Sequence, residues 1–370
     1  MKGFQELKTR VINFINTCDF EKPDREQFKT LALESFVFQY ENIEPYRNYC
    51  KIKGRSPENV GEIRDVPFAP TPAFKAGIFY AGNAEDAVRI FATSGTTGVK
   101  KGKAYYSADG LELMDVSIIR NAREMLFPND MKSRILILVP SPEEAPQMII
   151  AYGMDVLRKV FGLPGSGFFI RNGQLDVKAL VDILRDSEKE KVPVTLIGAT
   201  FGFVHLMDGF AEKGLYFNLP EESRIMHAGG LKGRSRELTP SELNSYFEKV
   251  FGVPDQAIVN LLGMTELSSQ FYDNVVFNRR RGRKEERAKF NPPWTWSLVA
   301  NPETLGEVAL GEKGILMHVD LANLERPSFI LTDDIGIRLE SGFEVLGRAK
   351  QDGSRGCSIT IDELVTKKDE

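Results

Sequence analysis

Cysteine is scarce in this chain. Cys18, Cys50 and Cys357 are the only three in 370 residues, they lie far apart, and none belongs to a CxxC pair. That spacing excludes a sequence-readable zinc site and argues against a disulfide framework, so a reducing compartment, the cytoplasm, is expected. Long apolar runs are missing too: no stretch approaches the roughly 18 residues of a membrane span. The N-terminal MKGFQELKTRVINFINTCDFEK mixes charges into its apolar positions and has no small-residue cleavage site, so neither secretion nor a membrane span is expected. Charge of one sign is also lacking. With 48 Lys+Arg against 52 Asp+Glu the net charge is -4, which leaves no electrostatic footprint for nucleic-acid binding.

What the chain does have is apolar material, 42 % of its residues, enough to fill one large core or two ordinary ones. Phe4, Leu7, Val11 and Phe14 recur at helical spacing, and Phe28, Leu31 and Phe38 continue the pattern. Gly54 to Ala73, with Pro57, Pro67, Pro70 and Pro72, must be an extended connection. It leads to a strand over Ala87 to Ala92. Beyond it, strand and helix patterns alternate: a β-branched run at Ile135 to Val139, a helix face of Val177, Leu180, Val181 and Leu184, and a buried strand over Val192 to Ala199. Thr239-Pro240-Ser241-Glu242 combines an N-cap, a first-turn proline and a capping-box glutamate. Strands follow at Ala257 to Leu261, Ile315 to Val319 and Phe329 to Leu331. The alternation predicts an α/β fold.

The sharpest local signal is Thr93-Ser94-Gly95-Thr96-Thr97-Gly98-Val99-Lys100-Lys101-Gly102, directly after a strand. Its glycines permit tight turns and expose backbone N–H groups, its hydroxyls add donors, and its lysines supply positive charge, a set that suits a polyphosphate. No Gly-Lys-Ser/Thr closes it, so it is not a Walker A loop. The residue-level alternative is a Gly/Thr hairpin.

This run resembles the TSGTTGxPKG signature of the acyl-adenylating superfamily, with Lys100 in place of the usual proline and Lys101 on the family lysine. Further motifs match in order. Gly263-Met264-Thr265-Glu266 resembles a motif in which the threonine approaches the nucleotide phosphate and the glutamate helps hold Mg²⁺. Gly229-Gly230 resembles the turn that lies along adenine. Thr332-Asp333 resembles the motif whose aspartate accepts ribose hydroxyls, and Gly347-Arg348 resembles the opening of the hinge motif. The resemblance implies an adenylation fold, helices packed on mixed β-sheets, and ATP with Mg²⁺ as cofactors. It implies one adenylation domain over 1–345, of which 1–85 is a mostly helical lead-in. Val194 to His205 resembles the segment lining the acyl pocket, which makes Phe201, Gly202, Phe203 and His205 candidates for it; the same residues also read as core.

Two departures refine the resemblance. The family's large C-terminal domain is expected to be absent, leaving a short tail, 346–370. That tail carries Cys357 between Gly353-Ser354-Arg355-Gly356 and Ser358, where Arg355 and Lys350 favour a thiolate. The combination resembles one branch, the acyl-protein synthetases of the bacterial fatty-acid reductase complex. It implies activation of a medium or long-chain fatty acid, transfer to Cys357 as a thioester, and an acyl-protein reductase partner. Two alternatives stay open: a short acyl-CoA or aryl-CoA ligase with Cys357 as bystander, and a non-catalytic nucleotide-binding scaffold. Cys18 and Cys50 read as small core residues. The glycines at 162, 165 and 167 do not form a dinucleotide fingerprint. The basic run Arg279 to Lys284, broken by Glu285 and Glu286, reads as a solvated loop or as a partner or phosphate contact.

Overall fold

The computed structural model describes residues 3–93, 101–231 and 235–348. They divide into two compact units, one drawn from 1–117, 264–269 and 290–370, the other from 118–263 and 270–289.

The first unit opens with α1 (Phe4–Thr17), α2 (Arg25–Asn42) and α3 (Glu44–Ile52). Phe4, Leu7, Val11 and Phe14 are buried along α1, as the helical spacing predicts. Asp24 caps α2 by accepting the Gln27 N–H. Inside α2, buried Gln39 donates to Asn323 O at 3.0 Å and to Ser328 Oγ at 2.7 Å, and accepts the Ser328 N–H at 2.9 Å. One amide thereby satisfies a turn far along the chain. The proline-rich connection holds only a 3-10 turn, Ile63–Asp65, and the two-residue β1 (Ala69–Pro70) before the short α4 (Ala73–Ala76). β2 (Arg89–Ala92) and β3 (Lys103–Tyr106) then pair antiparallel, so the Gly/Thr-rich run joins the two strands of a hairpin. α5 (Ala108–Met125) belongs by its first half to this unit and by its second to the other.

The second unit alternates as predicted: β4 (Arg134–Pro140), α6 (Ile149–Phe161), β5 (Gly167–Arg171), β6 (Gln174–Leu175), α7 (Val177–Glu190), β7 (Val194–Ala199), α8 (Thr200–Glu212), β8 (Arg224–Ala228), α9 (Pro240–Phe251), β9 (Ile258–Leu262), β10 (Phe271–Tyr272) and α10 (Val275–Arg281). The strand order is β10-β9-β8-β7-β4-β5-β6. Its five inner strands are parallel and its two edges antiparallel. Continuous apolar runs such as Ile135 to Val139 are what a sheet covered on both faces requires. α8 and α9 cover one face through Phe203 and Phe247, whose rings meet edge to face at 5.1 Å. Each such burial contributes about 1.5–3 kcal/mol. The predicted capping box at Thr239 and Glu242 is present, with both reciprocal bonds.

The chain completes the first unit with β11 (Thr295–Ala300), β12 (Lys313–Asp320), β13 (Phe329–Leu339) and β14 (Gly342–Arg348). The order β1-β13-β12-β11, with β14 also on β13, is antiparallel except for β1. β13 runs eight residues past the predicted Leu331, because its backbone ladder continues where the apolar pattern stops. Met317 faces Leu331 and Ile315 faces Ile335, so Thr332, Asp333 and Asp334 together oppose Leu316 alone. This bulge carries the acidic motif. Among the described residues, no helix is long and apolar enough to cross a membrane.

Candidate active site

In the first unit the Gly/Thr-rich connection is closed at its neck. Thr93 N–H donates to Gly102 O at 2.9 Å, and Gly102 N–H donates to Thr93 Oγ1 at 2.9 Å. A side chain at 102 would meet the Phe74 backbone at 3.3 Å and Thr93 Cγ2 at 3.0 Å, which explains the glycine. Lys101 is exposed beside this neck, while Ser94, Gly95, Thr96, Thr97 and Gly98 lie outside the described residues.

Thr265 and Glu266 are both buried. Thr265 Oγ1 lies 3.4 Å from Ala92 O, at the end of β2. Burial pushes the Glu266 carboxyl up to about 7, against the opposing pull of its own backbone N–H, Arg348 and Lys75, while Asp334 pushes the same way as burial. The segment is held from behind. Asp320 accepts the Ser268 and Ser269 N–H groups at 2.9 and 2.8 Å and the Ser269 hydroxyl at 2.6 Å. Asn323 Nδ2 donates to Glu266 O at 2.6 Å, and its Oδ1 accepts the Ser268 hydroxyl. Arg326 lies over the Tyr106 ring at 3.6 Å and donates to Ser268 Oγ at 2.7 Å. This cluster escapes sequence reasoning, and the one available signal is an Asp, Asn, Glu and Arg within Asp320 to Arg326, at and just after the end of a largely apolar strand.

The β13 bulge leaves Asp333 exposed and Asp334 half-buried. Thr332 turns inward, its hydroxyl donating to Leu316 O at 2.7 Å and accepting the Asp334 N–H at 3.0 Å. Bulges re-aim side chains, and here the outcome is an acidic pair beside Arg348, whose Nε lies 3.5 Å from Asp334 Oδ1. Asp334 was not singled out by sequence. Cys357 lies outside the described residues.

In the second unit the candidate residues are mainly glycines at strand ends. Gly229, after β8, has φ +77° and open space where a side chain would start, so the left-handed turn itself accounts for this glycine. Thr200 Oγ1 donates to Gly229 O at 2.6 Å and lies 2.9 Å from His227 Nδ1. Asn260 Nδ2 approaches the same ring nitrogen at 3.1 Å. Buried Lys289 fixes Asn260 by donating to its O and Oδ1, each at 2.7 Å, and pairs with Asp273 at 2.6 Å. His227 is buried and neutral, its pKa lowered to about 3 by desolvation. Gly230 and Gly263 follow their strands, and a side chain at 263 would meet nothing within 4 Å. Met264 belongs to the first unit.

Of the acyl-pocket candidates, Phe201 and Gly202 are half-buried at the first turn of α8, His205 is exposed, and Phe203 lies in the apolar core with Leu206 and Met207. Cys18 and Cys50 are buried, and burial pushes the Cys50 thiol up to about 12.

As a fold, the chain matches the acyl-adenylating enzymes. A 2-hydroxyisobutyryl-CoA ligase solved with 2-HIB-AMP and CoA aligns with TM-score 0.64 at 14 % identity, over 89 % of this chain and 69 % of that one. The luciferase-like enzyme of the nonluminescent mealworm Zophobas morio aligns with TM-score 0.51 at 16 % identity, over 73 % and 59 %. Within that class, the family model described as acyl-protein synthetase, LuxE, matches residues 16–366, and the chain belongs to this family. Relatives named long-chain-fatty-acid–luciferin-component ligase share 27 % identity in Aliivibrio fischeri, over 91 % of this chain and 88 % of theirs, and 25 % in Vibrio harveyi, over 92 % and 88 %.

Proposed function

We propose that this protein activates a medium or long-chain fatty acid with ATP and passes the acyl group through its own Cys357 to a partner acyl-protein reductase in the cytoplasm. In the first step a carboxylate oxygen attacks the α-phosphorus and the bond to pyrophosphate breaks, leaving acyl-adenylate. In the second, the Cys357 thiolate attacks the acyl carbonyl and AMP departs, the thiol proton having passed to solvent. In this reading 1–345 acts as the adenylation domain and 346–370 as the tail that presents the thiol.

The observation that supports it most directly is the buried Glu266. Its carboxyl has no hydrogen bond or ion pair with another side chain among the described residues, and its pKa near 7 marks an anion short of counter-charge. A divalent cation bound with phosphate fits that deficit. Mg²⁺ keeps waters and substrate oxygens in its shell, so one protein carboxylate can suffice to hold it beside phosphates. When bound, Mg²⁺ would neutralise phosphate charge. Glu266 would hold it, with Thr265 and Met264 near the phosphates. Lys101, Thr93 and the donors from Ser94, Gly95, Thr96, Thr97 and Gly98 would hold the β- and γ-phosphates. Asp333 and Arg348 would fix the ribose, and Gly229, Gly230 and Gly263 would present backbone to the nucleotide. Phe201 and Gly202 would meet the acyl chain. The fatty-acid assignment draws on the names of the curated relatives.

Intact mass spectrometry after incubation with Mg-ATP and a fatty-acid panel tests the whole sequence of steps. The expected product is one hydroxylamine-labile acyl group, absent in Cys357→Ser, which retains ATP–pyrophosphate exchange. Label persisting in Cys357→Ser, or transfer to coenzyme A alone, would favour the short ligase. Absence of exchange would favour the scaffold.

A further inference from the structure

The second unit holds a cavity of about 240 Å³ that the proposed chemistry does not use. It lies at the amino ends of parallel strands, walled by Asn129 ahead of β4, by Glu222, Ser223 and Arg224 at the start of β8, and by Arg279 and Arg280 on α10. In open parallel sheets substrates bind outside the carboxyl ends, where Gly229 and Gly263 stand. This cavity is therefore a separate place on the same sheet.

Its lining is rich in donors. Arg224 is 5 % exposed, and its two terminal nitrogens reach Glu222 Oε2 at 2.7 Å and Met131 Sδ at 2.8 Å. A thioether is a weak acceptor, so half of a buried guanidinium fork is poorly satisfied. The Arg279 guanidinium has no hydrogen bond or ion pair among the described residues. Among the described residues Arg280 reaches Glu124 alone, at 3.5 Å, a carboxylate that also receives Arg281. Ser223 Oγ accepts the Val194 N–H at 3.0 Å, which leaves its own proton free to donate. Against three guanidinium groups the cavity offers one carboxylate, Glu222. Burial lowers the Arg224 pKa below the ordinary arginine value, Glu222 opposes this, and the like charge of Arg279 adds to it. Glu222 and Asn129 both hold positive φ, 70° and 58°, so two walls adopt backbone that residues other than glycine seldom take.

We propose that this cavity is an anion site for a phosphoryl oxyanion, which takes its hydrogen bonds from Arg224, Arg279, Arg280 and the Ser223 hydroxyl. A tetrahedral oxyanion supplies the acceptors that Met131 and Glu222 do not, and relieves the repulsion between neighbouring guanidinium groups.

Thermal unfolding of the full chain tests it, with inorganic phosphate in one arm, pyrophosphate in a second, and sodium chloride of equal ionic strength as reference. At ten times the dissociation constant, either anion should raise the Tm by about 2 °C. A response to phosphate alone marks a single phosphoryl group as the ligand, and a stronger response to pyrophosphate marks a diphosphate. The rise should persist in Lys101→Ala, which disables the Gly/Thr-rich loop, and vanish in Arg279→Ala/Arg280→Ala, whose side chains are exposed enough for the fold to survive. No rise with either anion, a rise that survives the double arginine variant, or a rise lost in Lys101→Ala overturns the proposal.

Discussion

The unit built on the parallel sheet and the unit built on the antiparallel sheet hold their polar groups by different means. After β8, the parallel sheet ends in Gly229, whose carbonyl accepts the Thr200 hydroxyl, while Thr200 and Asn260 both meet the ring of a neutral His227. The strand register does most of the positioning there. The antiparallel unit displays charge: Glu266, Asp333, Asp334, Arg348 and Lys101. Its segments depart from regular pairing: the Glu266 loop is held by buried side-chain bonds around Asp320, Asn323 and Arg326, and the acidic bulge by the Thr332 hydroxyl, which donates to Leu316 O and accepts the Asp334 N–H. Backbone groups can be placed by a sheet alone, whereas charged groups off the ladder need a second layer of polar contacts.

That contrast can be broken most severely at Asp320. Asp320→Ala leaves three buried N–H groups, of Ser268, Ser269 and Ala322, and the Ser269 hydroxyl without an acceptor, and should cost about 3–5 kcal/mol in urea unfolding. A cost below about 1 kcal/mol would show that the loop does not depend on this support. Next in size is Glu266→Gln, expected to lower carboxylate-dependent ATP–pyrophosphate exchange at least about 100-fold with little loss of fold.

The same residue separates the units by pH. The Glu266 pKa is raised in the folded protein, from 4.5 to about 7, so below pH 4.5 its carboxyl costs nothing and between those values ionisation disfavours the fold. Its contribution should fall by roughly 3 kcal/mol as pH rises from 4.5 to 7, and Glu266→Gln should abolish that slope. His227 acts in the opposite direction. Its folded pKa is depressed from 6.5 to about 3, so its contribution is full above pH 6.5 and is lost as pH falls towards 3. His227→Gln should flatten that acid limb. Unfolding titrations with unchanged slopes in both variants would refute the assignments.

Smaller effects sharpen the comparison within the parallel unit. Thr200→Val removes the hydroxyl that holds Gly229 O and should cost about 1–2 kcal/mol, with a several-fold rise in the KM for ATP. Thr239→Ala, at the capping box of α9, should cost about 1 kcal/mol and leave the KM unchanged. Equal KM shifts in the two variants would argue against a specific role for the Gly229 turn.

What could be read in the sequence divides along the same line. Local and periodic features were legible: the α1 stripe, the capping box, the apolar runs of β4 and β7, and the order of the glycine turns. The reach of β13 was not, because Thr332-Asp333-Asp334 interrupts its pattern while the backbone ladder carries on around a bulge. Nor was the support of Glu266, since its bonds join residues more than fifty positions apart and periodicity carries no record of such pairs. Phe203 shows a further limit. Its spacing on α8 suits a pocket wall and a core equally, and its contact with Phe247 accounts for its burial.

The bulge in β13 also constrains how this protein can change length. Just beyond it, Gly336 sits where a Cβ would lie 2.6 Å from Glu344 O and 2.7 Å from the Leu316 side chain. Deleting one residue from Thr332 to Asp334 while keeping the bulge would draw Ile337 into that position, against backbone that cannot retreat. Inserting one would bring Ile335 there instead. The strand therefore tolerates substitution in its acidic segment far better than any shift in count, and natural variation across these three positions should be in identity with their number held at three.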